Sequence, residues 1–215
     1  MACALAVCAD SSGAGKTHVA CALALSLAAI GVKLKPAKVG IDFVDSMCVG
    51  QLAGFMACNL MGLSARALTA WAAWLIAGGA CLVEDNLGFA DRAPAAAFKA
   101  WALTQVSLLV IVDCAGLLRA SACFSFEALP RVAGLLLTNT SSFKHELELA
   151  SVIRSTCGLR VLGFVPRAGC QLRPRRLGVV SAYEASFGIK AWLGAVRSLT
   201  FRFCNLRAIK RLIDS

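Results

Sequence analysis

The chain has 215 residues, 59% of them hydrophobic, with 11 cysteines and a formal net charge of +10. That much apolar sequence supplies a core for one large domain and excludes a disordered protein. The positive balance, weighted towards the arginines after residue 165, favours an anionic partner.

A mean hydropathy of +0.73 raises the question of a membrane. The apolar runs from Val19 to Val32 and from Ala67 to Val83 fall short of the roughly 20 residues a span requires, and Gly78-Gly79 interrupts the second. Both read as buried helices, the second running on into a strand, so no membrane partner is expected. No positively charged leader with a cleavage site precedes the first motif, which predicts a cytoplasmic protein. The cysteines form no C-x-x-C pair, only two histidines are present, and most of the thiols lie among Ala, Leu and Val. They read as small core hydrophobes rather than as zinc ligands or disulfides. Basic and aromatic residues do not interleave as in an RNA-binding module, so no nucleic acid is expected.

In chain order, residues 3–8 form a short apolar run that reads as a buried strand. Asp10-Ser11-Ser12-Gly13-Ala14-Gly15-Lys16-Thr17 follows, and a helix from Lys16 to Ile30 ends at Gly31. Strand, loop and helix are the setting in which G-x-x-x-x-G-K-[ST] binds phosphate, although Asp10 stands where the pattern has Gly. Ser12, Gly13, Ala14 and Gly15 would curl backbone N–H groups round an anion. Lys16 would reach the outer phosphates, and Thr17 would offer its hydroxyl to Mg²⁺.

Val32 to Lys38 reads as a second strand, Val44 to Leu60 as mixed loop and helix, and Ser64 as the cap of a helix reaching about Ile76. Strands are predicted at Cys81 to Glu84, Val106 to Asp113, Val132 to Thr138 and Arg160 to Phe164. Helices are predicted at Ala95 to Thr104, at His145 to Ser155 and from Tyr183 to the end, the last with a basic face. This alternation predicts an α/β fold of the P-loop NTPase type, a mainly parallel, doubly wound sheet with helices on both faces. Ligands bind such sheets at the carboxyl ends of the strands. That rule gathers the phosphate loop, Lys38 to Asp45, Glu84 to Asp91, Asp113 to Ser121 and Asn139 to Ser142 at one edge. Acids there, among them Asp42, Asp45 and Glu84, suit a hydrated Mg²⁺ that also takes phosphate oxygens.

These segments resemble, in order, the motifs of the cobyrinic or hydrogenobyrinic acid a,c-diamide synthases of cobalamin biosynthesis, relatives of dethiobiotin synthetase. Asp10 to His18 is similar to that family's T-S-S-G-V-G-K-T-T, Lys38 to Asp45 to its K-V-G-P-D-Y-I-D, and Glu84 to Asp91 to its E-G-V-M-G-L-Y-D. Val112 to Ala122, Asn139 to His145, Leu162 to Arg167 and Arg175 to Val180 resemble further elements.

The resemblance implies an ATP- and Mg²⁺-dependent ligase that phosphorylates a corrinoid carboxylate and lets ammonia displace the phosphate. It implies catalytic roles for Lys16, Lys38, Asp45 and Glu84, with Thr17, Asp45 and Glu84 at the metal. Asn139 would join the phosphate loop at the nucleotide, while Asp42, Asp91 and Ser121 would serve the substrate. A basic surface suits a substrate bearing many carboxylates.

Several positions depart from the family's pattern. Asp85 and Asn86 replace a small and an apolar residue, and Ala115 stands where a basic residue is usual. The family's C-terminal glutaminase domain has no counterpart, so residues 1–215 read as a single synthetase domain. Either nitrogen would come from free ammonia or from a separate glutaminase, for which the apolar and basic stretch Phe187 to Ile213 is a candidate dock, or the chain is a fragment of a longer one. A homodimer is left open. Rival readings are dethiobiotin synthetase, a cobyric acid synthase, a partitioning-type ATPase and a degenerate binding scaffold. Asp10-Ser11-Ser12 lacks the second, early lysine of the partitioning ATPases.

Overall fold

The computed structural model describes residues 4–9, 13–39, 57–60, 62–77, 79–88, 106–114, 131–166, 194–195, 198 and 203–214, with the backbone alone at 65, 72, 75, 76 and 86–88. Seven strands form one sheet: β1 (Ala4–Ala9), β2 (Leu34–Val39), β3 (Cys58–Asn59), β4 (Ala80–Gly88), β5 (Ser107–Asp113), β6 (Val132–Thr140) and β7 (Val161–Pro166). Their spatial order is β3-β2-β4-β1-β5-β6-β7, and every neighbouring pair is parallel. The predicted α/β doubly wound class is therefore the observed one. Four helices accompany the sheet in the described residues: α1 (Lys16–Ala29), α2 (Ala65–Ile76), α3 (Phe143–Cys157) and α4 (Leu206–Asp214).

Strands buried on both faces need apolar side chains at every position, and β1, ALAVCA, has them throughout. Alternate residues divide between two cores. Ala4, Ala6 and Cys8 of β1 join Val83, Val110, Leu137, Leu68 of α2 and Ile153 of α3. Leu5, Val7 and Ala9 face the other way, towards Leu23 and Leu27 of α1 and Ile209 and Ile213 of α4. α1 packs on the sheet beside α4 and is apolar nearly all round, from Val19 to Leu27.

Local signals fix the helix ends. Ile30 closes α1 and Gly31, at φ 84, turns the chain away. The Ser64 hydroxyl accepts the Ala67 N–H at 3.3 Å ahead of α2, as the sequence predicts. Ser142 caps α3 by accepting the His145 N–H at 3.2 Å, and Gly158, at φ 64, ends it.

Three of the differences from expectation have a visible cause in strand pairing. β3 is a two-residue edge strand inside a stretch read as loop and helix; it exists because Ala37 and Lys38 of β2 pair with Cys58 and Asn59. β4 runs four residues past Glu84, because β2 and β1 hold it on both edges, with Val39 opposite Asp85 and Ala9 opposite Gly88. β6 reaches Thr140, and its pairing with β7 skips Asn139, whose φ is 56. A skipped residue in a left-handed conformation is a bulge, and Asn tolerates that conformation better than most residues.

The tail segment α4 uses its apolar side, Leu206, Ile209 and Ile213, in the chain's own core. Over 206–213, then, the expected apolar dock for a glutaminase is already occupied, and what faces outward is Arg207 and Arg211. The approach of this segment to β7 requires Gly163. A Cβ there would lie 2.7 Å from the Cys204 Cα and Sγ, where Asn205 N–H donates to the Leu162 carbonyl at 2.7 Å. Among the described cysteines, Cys8, Cys21, Cys81 and Cys114 are buried. Burial pushes the Cys81 thiol up to about 12, helped by Cys58 and opposed by Lys35. The described residues contain no group of three or more His, Cys, Asp or Glu placed to hold a metal by themselves, and no helix long and apolar enough to cross a membrane. The predicted helices at Ala95 to Thr104 and across 183–202 lie outside the described residues, apart from isolated positions.

Candidate active site

Because all seven strands are parallel, their carboxyl ends share one edge. β1 lies where the winding reverses, with β4 on one side and β5 on the other. A crevice at such a reversal is where this class of sheet takes its ligands. The loop leaving β1 enters it, and Gly13 and Gly15 hold φ of 82 and 90. A Cβ built on either would meet no described atom within 4 Å, so room remains beside the backbone. Gly15 is also the N-cap of α1 and brings no side-chain cap, and no acid stands in the helix's first turn. The positive end of the α1 dipole stands at that end of the helix, which is the arrangement that receives an anion.

Lys16, the first residue of α1, is 7% exposed. Thr17, next along, donates its hydroxyl to Glu84 Oε1 at 2.6 Å. The same oxygen lies 3.5 Å from Lys38 Nζ. Sheet register explains the meeting: Lys38 of β2, Glu84 of β4 and Val7 of β1 stand directly opposite one another, so their side chains share the α1 face. Lys38 is 2% exposed and Glu84 3%, and ions so deeply buried are held by partners. A hydroxyl and a carboxylate side by side at a phosphate-loop helix are hard oxygen donors, the type Mg²⁺ takes. The described residues thus fit a polyphosphate with a divalent cation.

On the other flank, Thr138 of β6 is buried and its Oγ1 lies 2.9 Å from the Ala14 carbonyl and 3.3 Å from that of Val112. Asn139, re-aimed by its bulge, donates Nδ2–H to Asp113 Oδ1 at 2.9 Å, joining β6 to β5. Thr140 donates to the buried Glu146 at 2.6 Å, tying the strand to α3.

Of the residues singled out in the sequence, Gly13, Ala14, Gly15, Lys16, Thr17, Lys38 and Glu84 come together here. Asn139 stands two strands away from the loop, beside Thr138. Ser12, Asp42, Asp45, Asp91 and Ser121 lie outside the described residues, so the expected metal and substrate acids other than Glu84 are not placed. Sequence reasoning missed Thr138, which it took only as the last residue of a strand, and Asp113, which it noted only as a strand-ending acid. The onset of the polar run Thr138 to Ser142 directly after Leu135-Leu136-Leu137 was the available signal.

Residues 5–170 match the model of the CobQ/CobB/MinD/ParA nucleotide binding domain. Over 96% of its length the chain is 32% identical to hydrogenobyrinate a,c-diamide synthase of Mycobacterium tuberculosis, covering 49% of that protein. It is 31% identical over 84% of its length to cobyrinate a,c-diamide synthase of Magnetococcus marinus, covering 41% of that protein. The chain thus spans about half the length, or less, of these curated relatives. Among solved structures, chloroplast FtsY from Physcomitrella patens is similar in fold, with a TM-score of 0.57 at 16% identity over 77% of this chain and 59% of that one.

Proposed function

The chain belongs to the CobQ/CobB/MinD/ParA nucleotide binding domain family, and on that premise we propose that it is the synthetase unit of a corrinoid a,c-diamide synthase. Its reaction would be the ATP-dependent conversion of the a and c acetate carboxylates of cobyrinic or hydrogenobyrinic acid to amides. The observation that carries the reading is the meeting of Lys16, Thr17, Lys38 and Glu84 at the carboxyl edge of β1, β2 and β4. The similarity to hydrogenobyrinate and cobyrinate a,c-diamide synthases supplies the substrate class.

In this reading the substrate carboxylate oxygen attacks the terminal phosphorus of ATP and ADP leaves. Ammonia then adds to the acyl carbon, phosphate departs with the former carboxylate oxygen, and a proton is lost from nitrogen. The protein's part is positioning and charge neutralisation. Lys16 and the α1 amides hold the phosphates, and Lys38 balances charge from the β2 side. Thr17 and Glu84 would hold Mg²⁺, joined by Asp45 from the sequence resemblance; the ion supplies charge neutralisation at the phosphates. Ser12 and Asn139 are assigned to the nucleotide, and Asp42, Asp91 and Ser121 to the corrinoid. A cytoplasmic location, one synthetase domain across the chain, and nitrogen from ammonia or a separate glutaminase complete the proposal.

The test is incubation of the purified chain with each corrinoid, ATP, Mg²⁺ and either ammonium or glutamine, following corrinoid mass and phosphate release. Carboxamide formed with ammonium alone supports the reading and calls for a glutaminase partner when glutamine fails. No carboxamide with either nitrogen source, while diaminopelargonic acid is turned over, replaces it with the dethiobiotin reaction.

A further inference from the structure

We propose that Thr138 is a positioning residue for the phosphate loop, acting through the Ala14 carbonyl to set the direction of the Gly15 amide. The inference rests on the nucleotide-binding reading and adds to it a residue from a strand two places away from β1.

The Ala14–Gly15 peptide turns through ψ of Ala14 and φ of Gly15, and Gly15 holds a φ of 90. Glycine moves between backbone conformations at little steric cost, so the Gly15 side of that peptide does little by itself to fix its direction. A peptide unit is planar and trans, so its C=O and N–H point in opposite directions. Holding the Ala14 carbonyl towards β6 therefore turns the Gly15 N–H away from β6. That N–H is one of the donors a phosphate loop offers its anion.

Thr138 is built for this hold. A hydroxyl has one proton to give, and the Ala14 carbonyl at 2.9 Å is nearer than that of Val112 at 3.3 Å. The side chain is 4% exposed, so water does not compete freely for the bond. Leu135, Leu136 and Leu137 before it are fully buried and apolar, and a hydroxyl at the next position serves no packing need they do not already meet. The strand supports it: Thr138 is paired with Asp113 on β5 and Val165 on β7, and the irregular residue Asn139 comes only after it.

The experiment compares Thr138→Val and Thr138→Ser in the full chain, reading ATP–Mg²⁺ affinity by titration and thermal midpoint without nucleotide. Valine keeps the shape and loses the hydroxyl, and ATP binding is expected to weaken about tenfold, about 1.4 kcal/mol. Serine keeps the hydroxyl and loses a buried methyl, so its midpoint should fall while its affinity stays within about twofold of the parent. Affinity then follows the hydroxyl and stability follows the methyl. If valine does not fold, Thr138→Ala against Thr138→Ser isolates the same hydroxyl and should give the same tenfold. Equal ATP affinity with and without the hydroxyl overturns the proposal and leaves the nucleotide reading standing. A parent protein that binds no ATP overturns both, and shows this before any variant is made.

Discussion

Replacing Lys38 with methionine removes the cation from a buried pair while keeping most of the side chain's bulk. Lys38 Nζ and Glu84 Oε1 are 3.5 Å apart, and the two residues are 2% and 3% exposed. At an effective dielectric of about 20 the attraction is about 5 kcal/mol before desolvation is set against it. Removing one member of such a pair costs about 3 to 5 kcal/mol, because the other charge stays buried. The Thr17 hydroxyl on the same carboxylate oxygen places the loss near 3 kcal/mol. Glu84→Gln should cost a similar amount, by leaving the Lys38 cation. The double variant buries no charge at this point, so its cost should fall short of the sum by about 2 kcal/mol. Urea unfolding without nucleotide measures all three, provided the denaturant slope is unchanged. Costs that add within about 0.5 kcal/mol would refute the pairing and, with it, the argument that register on β2 and β4 builds the site.

Other consequences follow from single contacts. Gly163→Ala forces a Cβ against the Cys204 backbone and should cost about 1 to 3 kcal/mol, seen as a lower thermal midpoint; an unchanged midpoint would show that 203–205 does not pack there. Lys16→Ala should lower ATP turnover at least about 100-fold with the fold intact by circular dichroism, since it deletes the cation proposed to hold the phosphates. For Cys81 the folded pKa, about 12, lies above the ordinary 9.0, so the folded state holds its proton where the unfolded chain loses it. Its contribution is complete below pH 9 and is lost as pH rises towards 12. Stability of Cys81→Ala relative to the parent should therefore improve across that interval, and a constant difference would contradict the burial argument.

The sequence signals that read correctly were those whose cause is local. The phosphate loop is legible because Gly13 and Gly15 must take positive φ and Lys16 must open a helix, whatever the rest of the chain does. β1 and β5 are legible because strands buried on both faces admit only apolar residues. What escaped depends on neighbours distant in sequence. Charge at Glu84 and Asp85 reads as the end of a strand, yet pairing to β2 and β1 carries β4 on to Gly88. β3 is too short to show a period and exists only through β2. The partnership of Thr138 with Ala14 spans 124 positions and leaves no local pattern. The tail's basic face was visible, but not that its apolar side fills the core beside α1 rather than awaiting a partner.

The central claim is that this site activates a corrinoid carboxylate by phosphoryl transfer, and oxygen tracing tests it most directly. Hydrogenobyrinic or cobyrinic acid carrying ¹⁸O in its carboxylates is turned over with ATP, Mg²⁺ and ammonium, and the released phosphate is analysed by mass. The account predicts one ¹⁸O delivered to phosphate for each amide formed. Amide formation with unlabelled phosphate, or phosphate release that does not depend on the corrinoid, would contradict it.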